Sequence, residues 1–133
     1  VLLHQVAQRA TDLEAATAFY TRLLGTAPLA SFDPPGLVFF ALDGGTRLLL
    51  EANAPSALIY LRVPSVRERV EQLRADGVEI ANEPHVIFDD TEGTFGEPAT
   101  EWMAFIRDPE GNLVGLASRE APLPAAESPS TST

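Results

Sequence analysis

With 133 residues, 45% of them hydrophobic, and a net charge of −10 at a pI near 4.5, the chain fits one compact domain. That charge argues against nucleic-acid phosphate or an anionic membrane as the main partner. The absence of cysteine excludes a disulfide framework, a thiolate zinc site and a cysteine nucleophile. No run approaches the roughly 18 apolar residues of a membrane span, and no leader is visible before the first strand-like segment, so a cytoplasmic setting is expected.

Alternation predicts a strand over residues 3–10, and the 3.6-residue spacing of Leu13, Ala16, Tyr20 and Leu23 or Leu24 predicts a helix over 12–24. An extended piece near Leu29–Phe32 leads to a turn at Asp33-Pro34-Pro35-Gly36. Strands are expected at Leu37–Leu42 and Thr46–Glu51, separated by Asp43-Gly44-Gly45. The same order then recurs. A strand at 57–63 precedes a helix at 65–76, and an extended segment runs from Val78, interrupted at Pro84, to Phe88. A polar loop, Asp89–Thr100, precedes a strand at Glu101–Arg107, a turn over Asp108–Asn112 and a last strand at Leu113–Ser118. From residue 121 the chain is small, polar and proline-rich, and 121–133 reads as a disordered tail.

The halves superpose in sequence at an offset of about 53 residues, with Arg9 over Arg62 and Leu13 over Val66, and a repeat of this kind governs the architecture. Each copy has a hydroxyl-x-x-Glu helix start, Thr11 to Glu14 and Ser65 to Glu68, and a glycine beyond its helix, Gly25 or Gly77. The expected fold class is therefore α+β: two paired βαβββ modules, 1–54 and 55–120, whose curled half-barrel sheets surround a cup within a single domain.

Two βαβββ units, with Phe19-Tyr20-Thr21-Arg22-Leu23-Leu24-Gly25 closing the first helix and Arg107-Asp108-Pro109-Glu110-Gly111-Asn112-Leu113 before the last strand, resemble the vicinal oxygen chelate superfamily. That group holds glyoxalase I, methylmalonyl-CoA epimerase, extradiol dioxygenases and the bleomycin and fosfomycin resistance proteins. The resemblance spans Leu3 to Arg119 and implies the fold, but one scaffold hosts several reactions.

In metal-dependent members the first and last strands of each half supply ligands to one divalent ion. Carried over, those positions fall on Gln5, on Leu58, on Gly115, and near Leu49 or, two residues along the same face, on Glu51. Leu58 and Gly115 cannot coordinate through a side chain. The resemblance thus implies a damaged or displaced site built from Gln5, Glu51 and His85, holding Zn, Ni, Fe, Mn or Co. His4 has the opposite parity to Gln5 and is expected to face outward or into a helix–sheet layer. Glu101, which opens its strand, is a further polar group available to rebuild a site.

Glu51 and His85 are the candidate catalytic base and ligand. Arg9, four residues beyond Gln5, is the candidate clamp for a substrate carboxylate, with Tyr60, Trp102 and Phe95 as an apolar wall. The function this implies is the binding of a small organic carbonyl or carboxylate molecule in the cup, by a metal-assisted lyase or isomerase. The alternative is a metal-free binding protein of the drug-sequestering type. A homodimer is expected, because relatives bury sheet edges and helix faces against a second copy.

Overall fold

The structure is a computed structural model and describes residues 1–122. The first half comprises β1 (Leu2–Arg9), α1 (Leu13–Leu24), β2 (Ala30–Phe32), β3 (Leu37–Ala41) and β4 (Arg47–Glu51). The second comprises β5 (Leu58–Arg62), α2 (Val66–Ala75), β6 (Glu79–Asp90), β7 (Ala99–Arg107) and β8 (Leu113–Glu120). Both halves are βαβββ, as the repeat implies. The expected tail falls almost wholly outside the described residues.

All eight strands join one curled sheet in the order β2-β3-β4-β1-β5-β8-β7-β6. Within each half the first strand lies parallel to the last, β1 beside β4 and β5 beside β8, and the halves meet where β1 pairs antiparallel with β5. The two modules therefore close on each other within one chain. The curl brings the two sheet edges together, with Phe32 of β2 meeting Phe88 of β6 at a ring separation of 6.0 Å.

Strand parity sorts the side chains between two layers. On the convex face α1 covers Val38, Phe40, Leu48 and Leu50, while Val66 and Val70 of α2 pack on Val63, Ala104 and Leu116. On the concave face Ala7, Phe39, Leu49, Leu58, Tyr60, Met103 and Ala117 form a third cluster. Leu48-Leu49-Leu50 is uninterrupted because β4 is buried on both faces, one against α1 and the other against the cup.

The helices start and stop largely as their sequences direct. Ser65 caps α2, its hydroxyl accepting from the Glu68 N–H at 3.2 Å, and Gly25 ends α1 in the left-handed conformation at φ 72°. In α1 the cap is Asp12 and not Thr11: its carboxylate accepts from the Ala15 N–H at 3.0 Å, one residue later than the hydroxyl-x-x-Glu reading. A carboxylate here also faces the positive end of the helix dipole, which favours it over the neighbouring hydroxyl. β6 runs unbroken through Pro84 to Asp90, with register shifts along the way. Pro84 is tolerated because β6 is an edge strand, so the missing N–H breaks no ladder.

No helix among the described residues is long and apolar enough to cross a membrane.

Candidate functional site

The cup encloses a cavity of about 360 Å³, a size suited to a small organic ligand. Its walls are mostly apolar. Phe32, Phe39, Phe88, Phe95 and Phe105 line it with Leu37, Leu49 and Met103, and edge-to-face contacts of 5.1–6.0 Å link several of the rings. The polar exceptions are Gln5, Arg47, Glu51, Tyr60 and Glu101.

Register explains why these groups converge. Gln5 lies opposite Arg47 of β4 on one side and Tyr60 of β5 on the other. Arg47, Leu49 and Glu51 share one face of β4, and Glu101, Met103 and Phe105 share one face of β7. Arg47 is the hub. Its Nε donates to Gln5 Oε1 at 2.9 Å, and Nη1 and Nη2 fork onto the two Glu101 oxygens at 3.2 and 2.7 Å. The guanidinium also stacks 4.4 Å from the Phe95 ring centre. Such a fork, removed from water, gives both charge pairing and fixed orientation.

Phe95 reaches that position because Asp90, at the end of β6, captures the loop that follows. The Asp90 carboxylate accepts from the Thr94 and Phe95 N–H groups at 2.7 and 3.0 Å and pairs with Arg119 at 2.9 Å. Burial pushes the Asp90 carboxyl up, but the Phe95 N–H, Arg119 and the Thr94 N–H outweigh it and hold the group below the usual carboxylate range. Arg119 also donates to Glu101 Oε1 at 3.1 Å. The loop, the cup floor and β8 are thereby one charge network.

His4 belongs to this network, contrary to the parity expectation. The β1–β5 register shifts between Leu3 and Gln5, placing one extra residue on β1. A bulge of this kind resets the alternation, so His4 and Gln5 both turn towards the polar floor. His4 is 1% exposed and its Nε2 lies 3.2 Å from Glu101 Oε2. Burial lowers its pKa against the pull of the Glu101 hydrogen bond, and the neighbouring Arg47 charge lowers it further, so the ring is neutral. Nε2 also lies 3.1 Å from Arg47 Nη2, which itself donates to the same carboxylate oxygen; an Nε2–H donating to Glu101 leaves the unpartnered Nδ1 as a bare lone pair. Burial likewise pushes the Glu101 carboxyl up. Hydrogen bonds from His4 and Arg47 overcome it and leave Glu101 ionised, far below the ordinary range.

Tyr60 shows the opposite balance. Burial and the nearby Glu51 charge push its hydroxyl up to about 12 against a hydrogen bond with Gln5, so it stays a neutral phenol on the cavity wall.

Of the residues singled out in the sequence, Gln5, Glu51, Tyr60, Phe95 and Glu101 meet in the cavity. His85, Arg9 and Trp102 do not. His85 is exposed, outside the cavity lining, and its Nδ1–H points to the Glu83 carbonyl at 2.9 Å. Arg9 is exposed at the strand end, where its Nε donates to the Ala54 carbonyl at 3.2 Å and braces the β4–β5 connection. Trp102 lies on the convex face, packed beneath α2 and under the Arg67 guanidinium at 4.0 Å. Its even number among the cup-facing Glu101, Met103 and Phe105 could have signalled this. The same parity argument would have found Arg47.

The donor set does not fit a divalent metal. The Gln5 amide oxygen is engaged by a guanidinium, whose fixed positive charge opposes a second cation beside it. Leu58 is packed among the apolar cup residues. At Gly115 a Cβ would sit 2.9 Å from Tyr60 Cε2 and 3.0 Å from Cγ, so the Tyr60 ring fills the space a carboxylate side chain would need. Among the described residues no three His, Asp or Glu side chains gather to hold an ion. Glu51 alone remains of the carried-over ligands.

Solved structures share this arrangement of strands and helices. A Legionella pneumophila protein described as an NAD-dependent benzaldehyde dehydrogenase matches at TM-score 0.62 and 20% identity, over 87% of this chain and 98% of that one. A Streptomyces coelicolor methylmalonyl-CoA epimerase variant bound to 2-nitronate-propionyl-CoA matches at TM-score 0.62 and 17% identity, over 97% and 99%. A Mn(II)-bound glyoxalase from Novosphingobium aromaticivorans matches at 0.61 and 22%, over 94% of this chain and 42% of that one. At such identities the likeness establishes the fold alone. No curated protein sequence matches the chain. A family model does match, over residues 2–116, which is nearly the whole run from β1 into β8. By that match and by its paired βαβββ halves, the chain belongs to the Glyoxalase/Bleomycin resistance protein/Dioxygenase superfamily.

Proposed function

We propose that this protein binds a small, largely apolar and aromatic organic molecule in its cup without a divalent metal, as a binding or sequestering protein. The observation that carries this reading is Arg47, whose guanidinium, held between Gln5 and Glu101, supplies the resident positive charge at the polar end of the phenylalanine-walled cavity. Five phenylalanines offer ring edges and faces to a flat ligand. Gln5 and the Tyr60 hydroxyl can meet one carbonyl or hydroxyl group and fix its orientation.

Titration with indole, followed by thermal shift and fluorescence, tests the proposal. Saturable binding is expected, unchanged by EDTA. Phe95→Ala should weaken it about tenfold, a loss of about 1.4 kcal/mol. Stoichiometric Zn, Ni, Fe, Mn or Co in protein purified without a chelating column, and lost in Gln5→Ala or Glu51→Ala, would overturn it.

A second reading follows from Glu51, whose carboxylate lies on the cavity wall near the Tyr60 phenol. A base beside a neutral hydroxyl donor can take a proton next to a carbonyl while the phenol stabilises the resulting enolate oxygen, which is isomerase chemistry without a metal. Solvent-deuterium exchange into a bound ketone, abolished in Glu51→Gln with ligand affinity retained, separates this reading from simple binding.

The proposal includes a cytoplasmic setting and a homodimer. Leu3 and Ile59, on the convex face at the β1–β5 seam, are 36% and 39% exposed and form an apolar strip that an isologous partner would cover. Light scattering at micromolar concentration should give twice the chain mass, falling to one in an Ile59→Glu variant. One chain mass for the unsubstituted protein rejects the dimer.

A further inference from the structure

A second, smaller cavity of about 90 Å³ lies behind the cup floor. It shares Arg47 and Phe95 with the main cavity, and His4, Thr46, Arg62 and Arg119 complete its polar lining. We propose that this recess is a binding site for a free small oxyanion, a phosphate or a short carboxylate, with Arg62 as its principal ligand.

Three guanidinium groups, Arg47, Arg62 and Arg119, line a space with room for a few waters or one small ion. The carboxylates that answer them are Glu101, paired with Arg47 and Arg119, and Asp90, paired with Arg119. Glu97 and Glu120 border Arg62 from an adjoining outer groove, where Glu120 pairs with Arg67. With His4 neutral, Arg62 is the one guanidinium of the recess that no carboxylate pairs. Among the described residues the Arg62 side chain makes no hydrogen bond or ion pair, and its buried Nε–H has no acceptor. A buried donor without an acceptor costs free energy that an incoming oxygen atom would recover.

The neighbours agree with this assignment. Burial and the charges of Arg119 and Arg47 lower the Arg62 pKa, with only Glu101 opposing them, as expected of a guanidinium held among like charges and lacking an anion. Arg47 and Arg119 are already committed to carboxylates and fixed in place, so the site is preorganised. The planar fork of Arg62 matches two oxygens of a carboxylate or phosphate. A volume of about 90 Å³ suits a compact ion such as phosphate or a short carboxylate. The overall charge of −10 makes this recess a local exception and predicts that filling it depends on short-range contacts and not on long-range attraction.

The inference is independent of what the cup binds. Its test is titration of the 133-residue chain with inorganic phosphate, against sodium chloride at matched ionic strength, read by calorimetry and thermal shift. One phosphate per chain is expected, with a rise in melting temperature that chloride does not reproduce. Arg62→Gln should lower phosphate affinity at least tenfold while leaving the phosphate-free melting temperature equal or higher, because it removes like-charge repulsion. Arg67→Gln, on the convex face, should bind phosphate as the unsubstituted protein does. Absence of a phosphate-specific shift, or a shift that Arg62→Gln retains, overturns the assignment.

Discussion

Replacing Glu101 with alanine should destabilise the protein by about 3–5 kcal/mol, since removing one member of a buried ion pair leaves its partners desolvated and uncompensated. Glu101 is 2% exposed and is the shared acceptor for His4, Arg47 and Arg119. The melting temperature should fall by roughly 10 °C or more for a domain of this size. Glu101→Gln should also destabilise, because it keeps the volume but turns an amide N–H towards guanidinium donors. The loss should extend to the cup, where Arg47 would no longer be held against Phe95.

The pH dependence of Glu101→Gln gives the prediction a second readout. The Glu101 carboxyl has a folded pKa well below its unfolded value near 4.3, so its stabilisation is complete above that value and is lost as pH falls towards the folded pKa. His4 adds to the same trend from higher pH. Its folded pKa lies below the unfolded 6.5, so the folded state resists the proton that the unfolded chain accepts, and stability declines as pH drops below 6.5. Urea unfolding at pH 7, 5 and 3 should show the gap between unsubstituted protein and Glu101→Gln narrowing below pH 5. A Glu101→Ala variant within about 1 kcal/mol of the unsubstituted protein at pH 7 would show that the network contributes little, as exposed pairs do.

Gly115→Ala is expected to cost about 1–3 kcal/mol, the usual range for overpacking a closed core. One methyl group there meets the Tyr60 ring at 2.9 Å from Cε2 and 3.0 Å from Cγ, and closer still to Cδ2. Tyr60 is 6% exposed and abuts Phe105 at 5.6 Å, so the ring cannot swing aside except into the cavity. Indole affinity should therefore fall together with stability. In a Tyr60→Ala background the same substitution should be close to neutral, because the clash is with that ring. A double-mutant cycle with no coupling between the two positions would refute the steric account. The same contact explains why a carboxylate cannot simply be restored at Gly115 to rebuild a metal site.

The sequence by itself determined the fold. The offset repeat, the strand parities and the helix boundaries are local patterns, and local backbone preference together with apolar periodicity suffices to specify βαβββ twice over. The family resemblance put Gln5 and Glu51 at cup positions and offered Tyr60 for its wall, and all three line the cavity. Only the tertiary structure decided the chemistry of the floor. Glu101 binds His4 across 97 positions of sequence and Arg47 across 54, pairings that no local pattern encodes. The bulge that turns His4 inward arises from how β1 meets β5, and is invisible in β1 alone. His85 lies on an edge strand whose register shifts along its length, so alternation could not carry its direction. Electrostatics was hidden for the same reason. Whether a charge serves as ligand, clamp or counter-ion depends on which charges the curled sheet brings within a few ångströms, and in this chain those come from β1, β4, β7 and β8 together.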